Sequence, residues 1–167
     1  MSGNSTMIFQ RVMRVLSALV FILLFAGCVN STPKYDVRVV SAEFGVFEDF
    51  HAKHLVFTKT DHVPWKVGQD FGWRIKLSKP VKVIWVREEL TLPAPANQWI
   101  NESPVGSLKV FEGKDGAISE YEVNQEGGYF YGSWAIVSGD PSGAHSLKVF
   151  IDGKPVTEFK FNVDRPI

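Results

Sequence analysis

Beyond Lys34, apolar side chains recur at every second position, and short runs of turn residues separate the segments that show this pattern. The clearest segment carries Phe71, Trp73, Ile75 and Leu77 at alternating positions. Because successive side chains of a strand point to opposite faces, this spacing indicates β-structure. The region sustains no 3.6-residue period, so the pattern predicts an all-β fold.

Turn residues divide this region into short strands, with a bulge expected at Gly45 and a tight hairpin turn at Asp152-Gly153. The strand spacing and the C-terminal hairpin favour an immunoglobulin-like antiparallel β-sandwich of about eight strands, with a small closed β-barrel as the alternative. We expect Trp73, Trp85 and Trp134 to fill the core. The predicted strands cover residues 37–46, 55–57, 71–77, 81–90, 107–111, 117–123, 129–137, 144–151 and 156–163.

The first 27 residues have the pattern of an export signal. Arg11 and Arg14 precede an apolar run of about a dozen residues, which ends in the small residues Ala26 and Gly27. This run is shorter than the ~20 residues that a membrane-spanning helix needs. The sequence therefore predicts a cleaved leader over 1–27.

Cys28 is the single cysteine of the chain and directly follows this leader. Leu24-Phe25-Ala26-Gly27-Cys28 resembles the lipobox of bacterial lipoproteins, although Phe25 stands where a leucine is usual. The resemblance implies that Cys28 becomes the first mature residue and carries a diacylglycerol, with a further acyl chain such as palmitate on its amine. Several acyl chains give stable attachment to a bilayer.

The resulting organisation is a leader over 1–27, a lipid-bearing tether over 28–35 and one sandwich domain over 36–167. We expect a lipid-anchored protein of the bacterial cell envelope, placed on the periplasmic face of the outer membrane if two membranes are present. Loss of Arg11 and Arg14 with the leader leaves 16 basic against 18 acidic residues. This balance argues against nucleic-acid binding, and no motif indicates a cofactor.

A second resemblance covers roughly residues 36–164. The blocks Phe57–Arg74 and Trp134–Asp140, with the hairpin from Asp152 to Val163, are similar to an uncharacterised family of secreted bacterial β-sandwich proteins. These motifs are structural, so the resemblance implies a fold and no activity.

Metal binding or catalysis is the alternative function, centred on His51, His54 and His62. A zinc site needs three or four converging ligands, but residues three apart on a strand point to opposite faces. The segment Gly139–Gly143 reads as a turn rather than as the elbow that carries a catalytic serine. We therefore expect a protein that is not an enzyme.

Aromatic side chains outside the strongest alternation are the candidate binding residues. Trp99 lies in a polar, proline-flanked connection, and Tyr129 and Tyr131 follow Gly127-Gly128. Flat rings beside amide groups suit sugar faces or peptide anchors. The expected function is a non-catalytic binding or accessory module whose partner is another envelope protein or a cell-wall glycan.

Overall fold

The computed structural model describes residues 38–48, 50, 55–100 and 106–165, and every regular element in this part of the chain is a strand. The ten strands are β1 (Val39–Glu48), β2 (Val56–Lys59), β3 (His62–Pro64), β4 (Asp70–Leu77), β5 (Val83–Thr91), β6 (Ser107–Val110), β7 (Gly116–Asn124), β8 (Phe130–Ala135), β9 (Gly143–Ile151) and β10 (Lys154–Asp164).

The strands form two sheets that pack face to face. One sheet has four strands in the order β2-β1-β4-β8, and the other has six in the order β3-β10-β9-β5-β7-β6. The β-sandwich prediction is confirmed over the closed barrel. The strand number is ten rather than about eight, and one pairing, β3 with β10, is parallel. β3 is absent from the predicted strands because its three residues are too few to show an alternation of apolar and polar side chains.

The inner faces of both sheets carry the apolar positions of the alternating pattern. On β4, Phe71, Trp73, Ile75 and Leu77 are all buried, and Trp73 has no exposed surface. This confirms the predicted phase of that strand and the core position of Trp73. Burying an aromatic or aliphatic side chain of this size contributes about 1.5–3 kcal/mol, so one face of one strand supplies a sizeable share of the core.

Aromatic rings join the two sheets beside Trp73, whose partner on β1 is Phe44. Phe44 of β1 stacks on Phe161 of β10 with ring centroids 4.4 Å apart, and His145 of β9 stacks on Phe161 at 5.3 Å. His145 is buried beside Leu147 and Val149, as its place in the alternation predicts. Stacked and tilted rings at these separations add to the free energy gained by burial.

The prediction that Trp85 fills the core is wrong. Its side chain is 44 % exposed, whereas Ile84 and Val86 on either side are buried. Residues 83–86 are all apolar, so period alone left two possible phases for β5. The observed phase directs even-numbered residues inward, which also turns Glu88 into the core.

The bulge expected at Gly45 does not occur at that residue. Gly45 pairs regularly with Gly72 on β4 and with Lys59 on β2, and the irregular step of β1 lies between Val39 and Ser41. A Cβ atom at Gly45 would lie 2.1 Å from the carbonyl oxygen of Thr58. The glycine is therefore needed for close approach between strands.

The C-terminal hairpin forms as predicted. Asp152 and Gly153 both adopt positive φ angles, of 49° and 75°, and join β9 to β10. Two consecutive left-handed residues match the right-handed twist of the flanking strands, which is why Asp-Gly is favoured at this position.

Candidate functional site

A concave cleft of about 420 Å³ lies beside β8, which is an outer strand of the four-stranded sheet. Residues of β4, β5, β7 and β8 line it, together with the connection that follows β5. Small-molecule sites are concave and mostly apolar, with a few polar groups. The aromatic lining residues are Phe50, Phe71, Trp99, Tyr121, Tyr131 and Trp134.

Two of the three aromatic residues that the sequence singled out, Trp99 and Tyr131, line this cleft. Trp99 is half-buried, meets Trp134 edge to face at 6.2 Å, and donates its Nε1–H to the carbonyl oxygen of Lys114 at 3.3 Å. These contacts hold the indole of a connecting segment against β8. Trp99 is thus oriented by its neighbours rather than projecting freely into solvent.

Tyr129, the third predicted residue, lies on the outer face of the four-stranded sheet. Its ring contacts Tyr131 at 6.1 Å, and the guanidinium of Arg74 lies 5.1 Å from its centroid. Arg74 also covers the ring of Phe57 at 4.5 Å and donates to Glu43 at 2.7 Å. This hydrogen bond lowers the pKa of Glu43. Tyr129 therefore belongs to a cation–π cluster with a structural role.

Glu88 is the innermost ionisable residue of the cleft and is only 1 % exposed. It accepts hydrogen bonds from Trp73 Nε1 across the sandwich and from the Tyr121 hydroxyl on β7. Burial raises the pKa of Glu88 to about 7, against the opposing effect of these donors. Burial and the neighbouring Glu88 charge also raise the pKa of Tyr121. A carboxyl group placed this way changes charge near neutral pH.

Trp134 completes the surroundings of this carboxyl. Its indole lies close enough to Glu88 to lower the pKa of that group. Its buried Nε1–H nevertheless makes no hydrogen bond of ordinary geometry to any described residue. A buried donor without a partner costs free energy. An acceptor brought into the cleft would remove that cost.

Sequence reasoning did not identify Glu88, although the alternation contained the signal. Glu88 is in phase with Ile84, Val86 and Leu90, which are the buried residues of β5. Charged side chains are rarely fully buried, so a carboxyl group in an apolar phase marks a site. The strand begins with four consecutive apolar residues, 83–86, so its first half does not show which phase is buried.

Asp140 and His145 line the cleft as well. Asp140 accepts a hydrogen bond from the amide of Val137 at 2.8 Å, and burial raises its pKa. His145 shares a hydrogen bond of 2.8 Å with the carbonyl of Gly143, and burial lowers its pKa, so its ring is neutral at pH 7. Gly139 and Gly143 have φ angles of 91° and 116°, which agrees with the predicted turn in this segment.

Of the three histidines in the predicted metal centre, His62 lies among the described residues. His51 and His54 lie outside the described residues, as does Cys28. Within the described ranges, no three histidine, cysteine, aspartate or glutamate side chains converge on a point where a metal ion could sit. His62 pairs with Asp164 at 2.6 Å, and this hydrogen bond raises the pKa of His62. Protonation opposes metal binding, which needs the neutral ring.

Together these groups form a concave surface with the Glu88 carboxyl at its base and aromatic side chains along its sides. The cleft offers a carboxyl acceptor, an indole N–H donor and flat apolar faces. Across residues 38–48, 50, 55–100 and 106–165 there is no apolar helix of membrane-spanning length.

Comparison with known proteins agrees with this architecture. The model of the PM0630 beta sandwich domain family matches residues 42–164. An immunoglobulin-like protein from Pseudomonas aeruginosa has a similar fold, with 22 % identity and a TM-score of 0.51 over 79 % of this chain and 99 % of its own. This likeness supports the immunoglobulin-like fold and confirms the predicted resemblance at the level of the domain.

A second solved structure, the Pseudomonas fluorescens alkylpurine DNA glycosylase AlkC bound to DNA containing an abasic site analog, is far less similar. It has 10 % identity and a TM-score of 0.35, over 73 % of this chain and 30 % of its own. That score is too low to bear on this chain. No curated protein sequence matches.

Proposed function

Because this chain belongs to the PM0630 beta sandwich domain family, we propose that it is a non-catalytic binding module of the bacterial cell envelope. The cleft beside β8 is the observation that carries the proposal. Its volume of about 420 Å³ falls within the range of small-molecule sites, and Trp99, Tyr131 and Trp134 give it the aromatic walls typical of such sites. Immunoglobulin-like sandwiches commonly serve as recognition modules.

The envelope location in this proposal rests on Cys28 and the leader before it. The positively flanked apolar run that ends in Ala26-Gly27-Cys28 resembles the signal for lipid modification of an exported protein, with Phe25 where a leucine is usual. The acyl chains would hold the sandwich at the bilayer surface, on the periplasmic face of the outer membrane in a two-membrane cell.

Metabolic labelling tests the anchor. Cells expressing the protein and fed radiolabelled palmitate should incorporate the label in the wild type and not in Cys28→Ser, which keeps the leader but offers no thiol for the diacylglycerol. Absence of label from the wild type would overturn the lipoprotein assignment and leave the cleft unaffected.

We propose a fragment of the cell-wall glycan as the ligand. Sugar rings present apolar faces that stack on aromatic side chains, and their polar groups suit the Glu88 carboxyl and the Trp134 Nε1–H. A concave site bounded by aromatic side chains favours such a ligand over a broad protein surface.

Co-sedimentation with purified peptidoglycan sacculi tests this ligand. Trp99→Ala should weaken binding about thirty-fold, as loss of a binding hot spot does, and leave the fold intact. Trp85→Ala is the matched control, because Trp85 is an exposed tryptophan of β5 that does not line the cleft. Equal binding by the wild type and Trp99→Ala would place the ligand elsewhere.

An envelope protein is the second candidate partner, and the position of β8 at the outer side of its sheet favours it. An extended segment can add to an outer strand through main-chain hydrogen bonds. Amide hydrogen exchange over residues 130–135 would slow on addition of a detergent-solubilised envelope fraction if this occurs. Unchanged exchange there would exclude strand addition.

A further inference from the structure

We propose that the cleft recognises its ligand through a primary ammonium group, which pairs with Glu88 while Trp99 and Trp134 enclose the neighbouring part of the ligand. The inference rests on the proposed function, since it names the chemistry of the ligand held in the same cleft. The ammonium is the shared chemistry of two sources, an amino sugar and a lysine-like side chain of a wall peptide.

Charge complementarity is the first argument. The described ionisable groups that share the cleft with Glu88 are Asp70 of β4, Tyr121 of β7, Tyr131 of β8, Asp140 of the connection after β8, and His145 of β9. The described lining residues include no lysine or arginine, and the ring of His145 is neutral at pH 7 because burial lowers its pKa. The described lining residues therefore supply three carboxyl groups and no lysine or arginine. A cationic ligand fits this distribution, and an anionic one is repelled.

The surroundings of Glu88 give the second argument. The donor groups that lower the pKa of Glu88 are Trp73, Tyr121 and Trp134. All three are neutral, so none of them supplies a counter-charge to the buried carboxylate. Buried charges are normally paired. Burial accordingly raises the pKa of Glu88 to about 7, and the carboxyl is partly protonated at neutral pH. An ammonium at this position would restore the ionised form and expel the proton.

The aromatic walls give the third argument. Trp99 and Trp134 meet at 6.2 Å, and both line the cleft with Tyr131. Indole faces attract cations by about 0.5–2 kcal/mol, most strongly where water is excluded. A primary ammonium also keeps N–H groups to donate to the Glu88 carboxylate, which a quaternary ammonium lacks. Both features select an amine over a neutral sugar of the same size.

Calorimetric titration of the full-length lipidated protein in detergent micelles tests the inference. The probes are glucosamine, glucose as its neutral match, and Nα-acetyl-lysine amide, each at pH 7 in two buffers of different ionisation enthalpy. We expect an amine probe to bind at least tenfold more tightly than glucose and to release about half a proton per site. Preference for glucosamine would identify an amino sugar as the source, and preference for the lysine derivative a side chain.

Variants separate this inference from the proposed function. Glu88→Gln should lose at least tenfold in amine affinity together with the proton release. Glu89→Gln should change neither, because Glu89 pairs with Arg87 and does not line the cleft. Near-ultraviolet circular dichroism shows whether each variant is folded, and proton release by the wild type is an independent readout.

Two results would overturn the ammonium inference. Affinity for glucose equal to that for both amine probes is one, and absence of binding by either amine at millimolar concentration is the other. If sacculi still bind in a manner that depends on Trp99, the cleft function stands and only the ammonium fails. If Trp99→Ala leaves sacculus binding unchanged as well, both proposals fail.

Discussion

Substitution of Glu88 by glutamine should change how the stability of the sandwich depends on pH. In the unfolded chain the pKa of Glu88 returns to its ordinary value of 4.5, whereas burial raises it to about 7 in the folded protein. Between these values the folded state binds more protons than the unfolded state, so the free energy of unfolding falls as pH rises. Below pH 4.5 both states are protonated, and above pH 7 both are ionised, so the contribution is constant outside this window.

The size of the effect follows from the two pKa values of Glu88. Their difference is about 2.5 units, and each unit corresponds to about 1.4 kcal/mol, so the wild type should lose about 3 kcal/mol of unfolding free energy across the window. Solvent screening is slight, because Glu88 is 1 % exposed. Glutamine has the same shape and no charge to ionise. The stability of Glu88→Gln should therefore decline far less, and the variant should be more stable than the wild type at pH 8.

Urea denaturation followed by tryptophan emission at pH 4.5, 5.5, 6.5, 7.5 and 8 measures this difference. Other groups titrate in the same range. The raised pKa of His62 removes stability as pH rises through it, and the lowered pKa of His145 removes stability as pH falls through it. Both effects cancel in the difference between wild type and variant. Glu89→Gln should keep the wild-type slope, and parallel curves for wild type and Glu88→Gln would refute the burial argument.

Two further predictions concern the core around Trp73. Trp73→Ala should cost about 3–5 kcal/mol of unfolding free energy because the indole has no exposed surface. Trp85→Ala should change the unfolding free energy by less than about 0.5 kcal/mol. Similar urea midpoints for the two variants would contradict the assigned faces of β4 and β5. Gly132→Ala should cost about 1–3 kcal/mol, since its Cβ would lie 2.5 Å from the Trp73 ring, and an unchanged midpoint would show that the ring can move aside.

The fold could be read from the sequence where one phase of alternation was possible. Phe71, Trp73, Ile75 and Leu77 leave no second choice of inner face, and Asp152-Gly153 places the turn of the last hairpin. Buried apolar area and turn geometry determine such segments locally. Their sequence-based assignment needs no knowledge of the partner strands.

The local sequence pattern did not predict the structure where contacts between distant residues decide which face of a strand is buried. On β5, both phases begin with apolar residues, and the buried phase places Glu88 against Trp73 of the opposite sheet. The cleft depends on the same kind of information. It joins Trp99 of a connection to Tyr131 and Trp134 of β8, more than thirty positions along the chain, and no short motif encodes this meeting.

The parallel pairing of β3 with β10 has a consequence for how the chain reaches its native state. His62 aligns with Asn162, and Val63 with Val163, across almost the whole length of the domain. Closing a loop of this size costs conformational entropy before any contact offsets it. Folding rates fall as the average sequence separation of native contacts grows, and β-sandwiches rich in such contacts fold in about milliseconds to seconds. A nascent chain therefore cannot pair β3 with the six-stranded sheet until β10 has been synthesised.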